Sequence, residues 1–185
     1  MSLSDKKTIL LLGDSLIEYG HWEDYLKPYN AINLGLAGET IEGLLDRLSS
    51  VLERFSDVWL YVFMSGINNV AMDDYGFVPL YQKILRDVKQ SSPSSHIIVC
   101  GLLPVNLEWV DNRRIMKLNQ EIRSLCHSEG VQFLDLYNEF ITTEGSPKAE
   151  YLLDDGVHLS DEGYIHWSRL LINAIKGLEG QSKGL

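Results

Sequence analysis

The chain has 185 residues, of which 45% are apolar and 23% charged, and it carries a net charge of −10. Length and composition suit a single soluble globular domain over residues 1–185 with a well-buried core. The acidic balance argues against a nucleic-acid backbone or an anionic membrane as the main partner, because both repel a negative surface. The two cysteines, Cys100 and Cys126, lack metal-ligand spacing and read as buried free thiols. No run reaches the length of a membrane span and no secretory signal is visible ahead of Gly13, so a cytoplasmic protein without a membrane segment is expected. The sequence carries no signal for an oligomeric state.

Thr8 to Leu12 is a short apolar run that predicts a buried strand, and Gly13-Asp14-Ser15-Leu16 is its exit. A glycine there permits a sharp turn, and a serine beyond it stands at the carboxyl edge of a sheet, at a possible helix start. Gly-Asp-Ser also occurs as an ordinary turn, so the four residues leave both readings open. His21 to Leu26 predicts a short helix stopped by Pro28, Asn30 to Leu34 a second strand, and Gly35 to Thr40 a loop. From Thr40 onward, Ile41, Leu44, Leu45, Leu48, Leu52 and Phe55 follow the three- and four-residue steps of an amphipathic helix. Val58 to Met64 is apolar throughout and predicts a central strand, leaving through the loop Ser65 to Asn69.

Pro79 suits the first turn of a helix carrying Leu80, Ile84 and Val88, broken by the Ser/Pro cluster from Ser91 to Ser95. Ile97 to Cys100 predicts a fourth strand. Asp111 caps a helix with Ile115, Leu118, Ile122 and Leu125 inside, closed by Gly130. Val131 to Leu136 is the fifth strand, and a long segment runs on to Val157. Ser160 caps a last helix with Tyr164, Trp167, Leu171 and Ile175 facing in, and the tail after Gly177 reads as frayed.

Strands alternating with helices predict an α/β chain with a five-stranded parallel sheet in a three-layer α/β/α sandwich. Ligands of such sheets bind beyond the carboxyl ends of the strands. The loops there carry Ser15, Gly38, Asn68 and Trp109.

A serine hydroxyl needs an adjacent base and a group that holds that base in one tautomer. Of the five histidines, His96 and His127 read as surface residues and His166 as structural. His21 reaches the rim without an obvious carboxylate. His158 follows Asp155 by three residues just before the last helix, a spacing at which a tight turn brings carboxylate to imidazole. Asp-x-x-His is also a common surface turn, and no third ligand is spaced to make it a metal site. Attack on an ester creates an oxyanion, for which the backbone N–H groups of Ser15 and Gly38 and the side-chain amide of Asn68 are candidate donors.

Taken together, Gly13-Asp14-Ser15-Leu16, Gly38, Gly66-Ile67-Asn68 and Asp155-x-x-His158, in this order, resemble the GDSL, or SGNH, hydrolase family over residues 8 to about 176. The resemblance implies a flavodoxin-like fold and cofactor-free serine ester hydrolysis through an acyl-enzyme. In it Ser15 is the nucleophile, His158 the base and Asp155 its orienter, and Ser15, Gly38 and Asn68 form the oxyanion hole. The family's third motif usually reads Gly-x-Asn-Asp. Asn69 stands here in place of that aspartate, which questions the loop's supporting hydrogen bonds. Trp22 and Trp109 are the candidate substrate-binding residues, and Tyr19, Tyr75, Phe77 and Tyr151 lie near the same loops. Without an inserted lid the site suits small-molecule esters: O-acetyl carbohydrates, short-chain acyl esters or lysophospholipids. The alternatives are an O-acyltransferase on the same residues and a non-catalytic ligand-binding module of the same fold.

Overall fold

A computed structural model describes residues 6–181. Its centre is a parallel sheet of β1 (Thr8–Gly13), β2 (Asn30–Gly35), β3 (Leu60–Met64), β4 (His96–Cys100) and β5 (Gln132–Leu134), in spatial order β2-β1-β3-β4-β5. This is the flavodoxin-like order, with the switch point between β1 and β3. The apolar runs explain the middle of the sheet. Ile9 to Leu12 and Leu60 to Met64 are buried along their whole length, as strands covered on both faces must be.

The helices are α1 (Ser15–Glu18), α2 (Trp22–Tyr25), α3 (Ile41–Arg54), α4 (Ile67–Ala71), α5 (Val78–Ser91), α6 (Asn112–Glu129) and α7 (Asp161–Gln181). One layer is built from α3, α5 and α6, with α5 packed against both of the others; α7 packs against α2 and β5. The predicted apolar stripes are the faces they bury: Leu44 and Leu48 of α3, Ile84 and Val88 of α5, Ile115 and Ile122 of α6, Trp167 and Leu171 of α7. Each such side chain removed from water contributes about 1.5–3 kcal/mol. The predicted caps form as well. Asp111 accepts the Arg113 N–H, Gly130 closes α6 in the left-handed conformation, and Ser160 Oγ accepts the Gly163 N–H at the start of α7.

Several expectations change in detail. The segment after β3 is not all loop: Ile67–Ala71 winds into α4, entered through Gly66. The fifth strand is three residues long and half-buried, because it is an edge with β4 as its one neighbour. His96, expected at the surface, is half-buried with its ring centroid 5.4 Å from that of Trp59. The helix does not fray at Gly177 but runs to Gln181 with Leu178 buried, and residues 182–185 lie outside the described part.

Register sets up the site. Gly13 is level with Gly35 on one side and Met64 on the other, so β1, β2 and β3 end together and their loops open on one rim. A side chain at Gly13 would place its Cβ 1.8 Å from the Met64 carbonyl oxygen, so this crossing admits only glycine.

Candidate active site

Ser15 opens α1 directly beyond that crossing. Four residues are too few for a helix to stand alone, and side-chain hydrogen bonds hold this one at both ends. At the amino end the Asp14 carboxylate accepts the Leu16 N–H at 3.0 Å. At the other end Ile17 O accepts from Trp22 Nε1 at 2.7 Å and from Asn33 Nδ2 at 3.0 Å, and the Tyr164 hydroxyl donates to Leu16 O at 3.1 Å. Ser15 itself is almost completely buried.

The segment before α7 returns to this point. Gly156 N–H donates to Leu153 O at 3.0 Å and Leu153 N–H to His158 O at 2.8 Å, closing a tight turn around Asp155. Within it Asp155 Oδ1 accepts the backbone N–H groups of Val157 and His158, both at 2.9 Å, while Oδ2 lies 2.7 Å from His158 Nδ1. Partial burial pushes the Asp155 carboxyl up, but these three hydrogen bonds and the imidazole's charge outweigh it and hold the group at about 2. The carboxylate therefore accepts, Nδ1 carries the ring proton, and the lone pair of Nε2 is free. Nε2 lies 2.9 Å from Ser15 Oγ. The Tyr19 ring lies beside the imidazole, tilted by 41° with ring centroids 5.3 Å apart. A chain of this geometry can take the proton of the Ser15 hydroxyl and keep the resulting imidazolium in place.

The other two candidate donors stand on the neighbouring loops. Asn68, in the first turn of α4, donates one Nδ2 hydrogen to Glu39 O at 2.9 Å; an amide nitrogen has a second hydrogen to give. Gly38 sits on the loop between β2 and α3 with φ 78°. No protein atom lies within 4 Å of a Cβ built there, so what favours glycine within the fold is its backbone angle. Leu36 N–H to Gly13 O at 2.9 Å and Ala37 N–H to Glu18 Oε2 at 2.6 Å pin this loop to the serine turn.

A cleft of about 220 Å³ opens over Ser15, Asn68 and His158, with apolar walls of Ile67, Ala71, Leu107, Val110 and Val157. A second, of about 410 Å³, borders His158 and includes Tyr19, His21, Asp161 and Glu162. Larger grooves of about 710 and 660 Å³ lie away from these residues, one between α3 and α5 and one at the amino ends of β4 and β5.

Neither tryptophan expected to bind substrate lines the Ser15 cleft. Trp22 is 1% exposed; its ring meets Trp167 edge-on at 4.8 Å, which welds α2 to α7. Trp109 is 71% exposed, and its neighbours Leu107 and Val110 form the wall instead. Phe77 is core, Tyr75 lies under the Arg114 guanidinium, and Tyr151 stacks on His166. Tyr19, expected near these loops, does lie beside His158 in the second cleft, whereas the apolar wall residues do not stand out in the sequence as cleft residues. Their one signal is an apolar side chain in a rim loop, which many core residues share.

Among the described residues no group of histidine, cysteine and carboxylate side chains is arranged to hold a metal ion, and no helix is long and apolar enough to cross a membrane. Comparison with known proteins agrees with the fold. Platelet-activating factor acetylhydrolase IB subunit alpha2 of Rattus norvegicus is 29% identical over 165 residues, covering 84% of this chain and 70% of that protein. Subunit alpha1 of Bos taurus is 27% identical over 186 residues, covering 95% of this chain and 78% of that one. Among solved structures, a GDSL-like lipase from Bacteroides thetaiotaomicron superposes with TM-score 0.82 at 22% identity over 95% of this chain and 91% of that one. A carbohydrate acetylesterase from Sinorhizobium meliloti gives 0.76 at 18% identity over 94% of this chain and all (100%) of that one. Residues 11–165 match the family described as GDSL-like lipase/acylhydrolase, and this chain belongs to that family.

Proposed function

We propose that the protein is a serine esterase that removes small acyl groups, acetyl above all, from carboxylic esters of alcohols. The observation that carries this reading is the unbroken chain of Asp155 Oδ2, His158 and Ser15 Oγ, with contacts of 2.7 and 2.9 Å.

In this reading Ser15 Oγ attacks the ester carbonyl carbon and passes its proton to His158 Nε2. Asp155 stays ionised and steadies the imidazolium. The oxyanion accepts hydrogen bonds from the Ser15 and Gly38 N–H groups and the Asn68 amide. His158 then protonates the departing alcohol, leaving an acyl group on Ser15. Water then attacks the acyl carbon as it gives a proton to the same nitrogen, and His158 returns that proton to Ser15 Oγ as the bond between Oγ and the acyl carbon breaks and the acid leaves. In this reading water is the acceptor of the acyl group, and an added alcohol that diverts product to a new ester would mark a transferase instead.

In this reading the acyl group occupies the apolar cleft. Its volume of about 220 Å³ is below the roughly 300–1,000 Å³ of sites for drug-sized ligands. The names of the curated relatives and of the Sinorhizobium neighbour point to the same acyl group, acetyl. Initial rates on p-nitrophenyl acetate, butyrate and octanoate test this. Acetate should give the highest kcat/KM and Ser15→Ala should be inactive on all three. A preference for octanoate contradicts the small acyl site, and parental rates in Ser15→Ala contradict catalysis at this serine.

A further inference from the structure

Asn68 is followed by Asn69, which is 1% exposed. Its amide is fully engaged with groups from other segments. Oδ1 accepts the N–H of Ile41, the first residue of α3, at 3.0 Å. Nδ2 donates to Glu42 Oε2 of α3 at 3.0 Å and to Asp74 Oδ2, beyond α4, at 2.8 Å. Asn68 Nδ2 meanwhile holds Glu39 O. Two adjacent side chains on α4 therefore grip the loop that ends in Gly38-Glu39-Thr40 on both sides of Thr40, the residue that caps α3.

We propose that Asn69 is a positioning residue for the oxyanion donors. Its amide fixes the spacing between the Gly38 N–H on one loop and the Asn68 side chain on the other, and it does so only as a neutral group because two carboxylates face it. This inference rests on the esterase reading above and extends it to why an amide stands at position 69.

The charges explain the choice. The groups facing the Asn69 amide are Glu42 from α3 and Asp74 from the segment after α4. Of the adjoining charges, Glu39 is paired with Arg47 and Asp73 with Arg114. Hydrogen bonds from Asn69 are the largest influence holding both Glu42 and Asp74 below their usual range, so one side-chain NH2 serves two carboxylates, one hydrogen to each. An aspartate here still accepts the Ile41 N–H through one oxygen. Its other oxygen would face two negative charges at hydrogen-bonding distance with no hydrogen between them, and either the α3 start or the Asp74 segment must move away. A shift of about 1 Å at a reacting group costs on the order of 10²-fold.

The test compares Asn69→Asp, Asn69→Ala and the double variant Asn69→Asp/Glu42→Gln on p-nitrophenyl acetate, with Ser15→Ala as reference. Asn69→Asp should lower kcat by about 10–100-fold with KM within a few-fold. The ratio of its kcat to that of the parent should rise as pH falls and the three carboxylates take up a proton. Glu42→Gln should restore much of the lost kcat, because its amide supplies the missing donor. Asn69→Ala adds no charge and covers the case in which the aspartate variant does not fold: it should lower kcat at unchanged KM, with a smaller recovery at low pH than Asn69→Asp shows, since two carboxylates instead of three face one another. Parental kcat in Asn69→Ala, or an Asn69→Asp defect that neither Glu42→Gln nor low pH relieves, overturns the proposal. If instead Ser15→Ala retains parental activity, it is the esterase reading that fails.

Discussion

Replacing Asp14 by asparagine should stabilise the protein, and the gain should grow steeply with pH. Asp14 is fully buried beside the serine turn. Its Oδ1 caps α1 through the Leu16 N–H, while Oδ2 is buried with no hydrogen-bond partner. Burial raises the carboxyl from 3.8 to about 7, with the Leu16 hydrogen bond offsetting part of the effect. The unfolded chain releases this proton near the ordinary carboxylate value. Between about pH 4 and pH 7 the native state thus binds more protons than the unfolded one, and stability falls as pH rises through that window. A shift of roughly 3 units at about 1.4 kcal/mol each sets an upper bound of about 4 kcal/mol by pH 8. Asparagine is neutral throughout and keeps the cap. For a chain of 185 residues that bound corresponds to a Tm gain of about 8–16 °C at pH 8 and little at pH 4. Thermal unfolding of both proteins across pH 4–8, read as the difference between them, is the assay. A gap that stays constant with pH would refute the buried-carboxylate argument.

Asp155→Asn keeps an acceptor for the two backbone N–H groups but offers a donor to His158 Nδ1, so the ring must carry its proton on Nε2, toward Ser15. Steady-state kinetics should show kcat falling by about 10⁴-fold, with the fold intact by circular dichroism. Because its folded-state carboxyl is depressed to about 2, Asp155 contributes stability above about pH 4 that is lost as pH falls toward 2, and acid titration of this variant should lack that component. Asn68→Ala should lower kcat by roughly 10²–10³-fold at nearly constant KM, since the interaction strengthens as the oxyanion forms. Trp22→Ala should lose about 3–5 kcal/mol of stability in denaturant titration, whereas Trp109→Ala should leave both stability and KM unchanged.

The central strands are legible in the sequence because burial on both faces leaves a continuous apolar run, as in Ile9 to Leu12 and again in Leu60 to Met64. The Asp155–His158 pairing is legible too, since the turn that makes it is local: Leu153, Gly156 and His158 close it with their own backbone groups. Trp22 is misread from sequence because its environment is supplied by Tyr164 and Trp167 at the far end of the chain, and an aromatic residue in a short polar helix gives no sign of that. The partners of Asn69 come from α3 and from beyond α4, so its local sequence shows a departure from the family pattern but not what replaces the lost carboxylate. Gly38 illustrates the opposite case. The residue stands out in the sequence, but the reason for it, a positive φ in open space, is visible only in the backbone.

If Ser15 is a nucleophile driven by His158, it should be trapped by a reagent that attacks only activated serines. The direct measurement is intact-protein and peptide mass spectrometry after brief exposure to a small alkyl fluorophosphonate, which leaves a stable covalent adduct. One adduct is expected, on the peptide containing Ser15, absent in Ser15→Ala and formed far more slowly in His158→Ala. No adduct on Ser15, or labelling of equal speed when His158 is removed, would contradict a serine activated by this histidine.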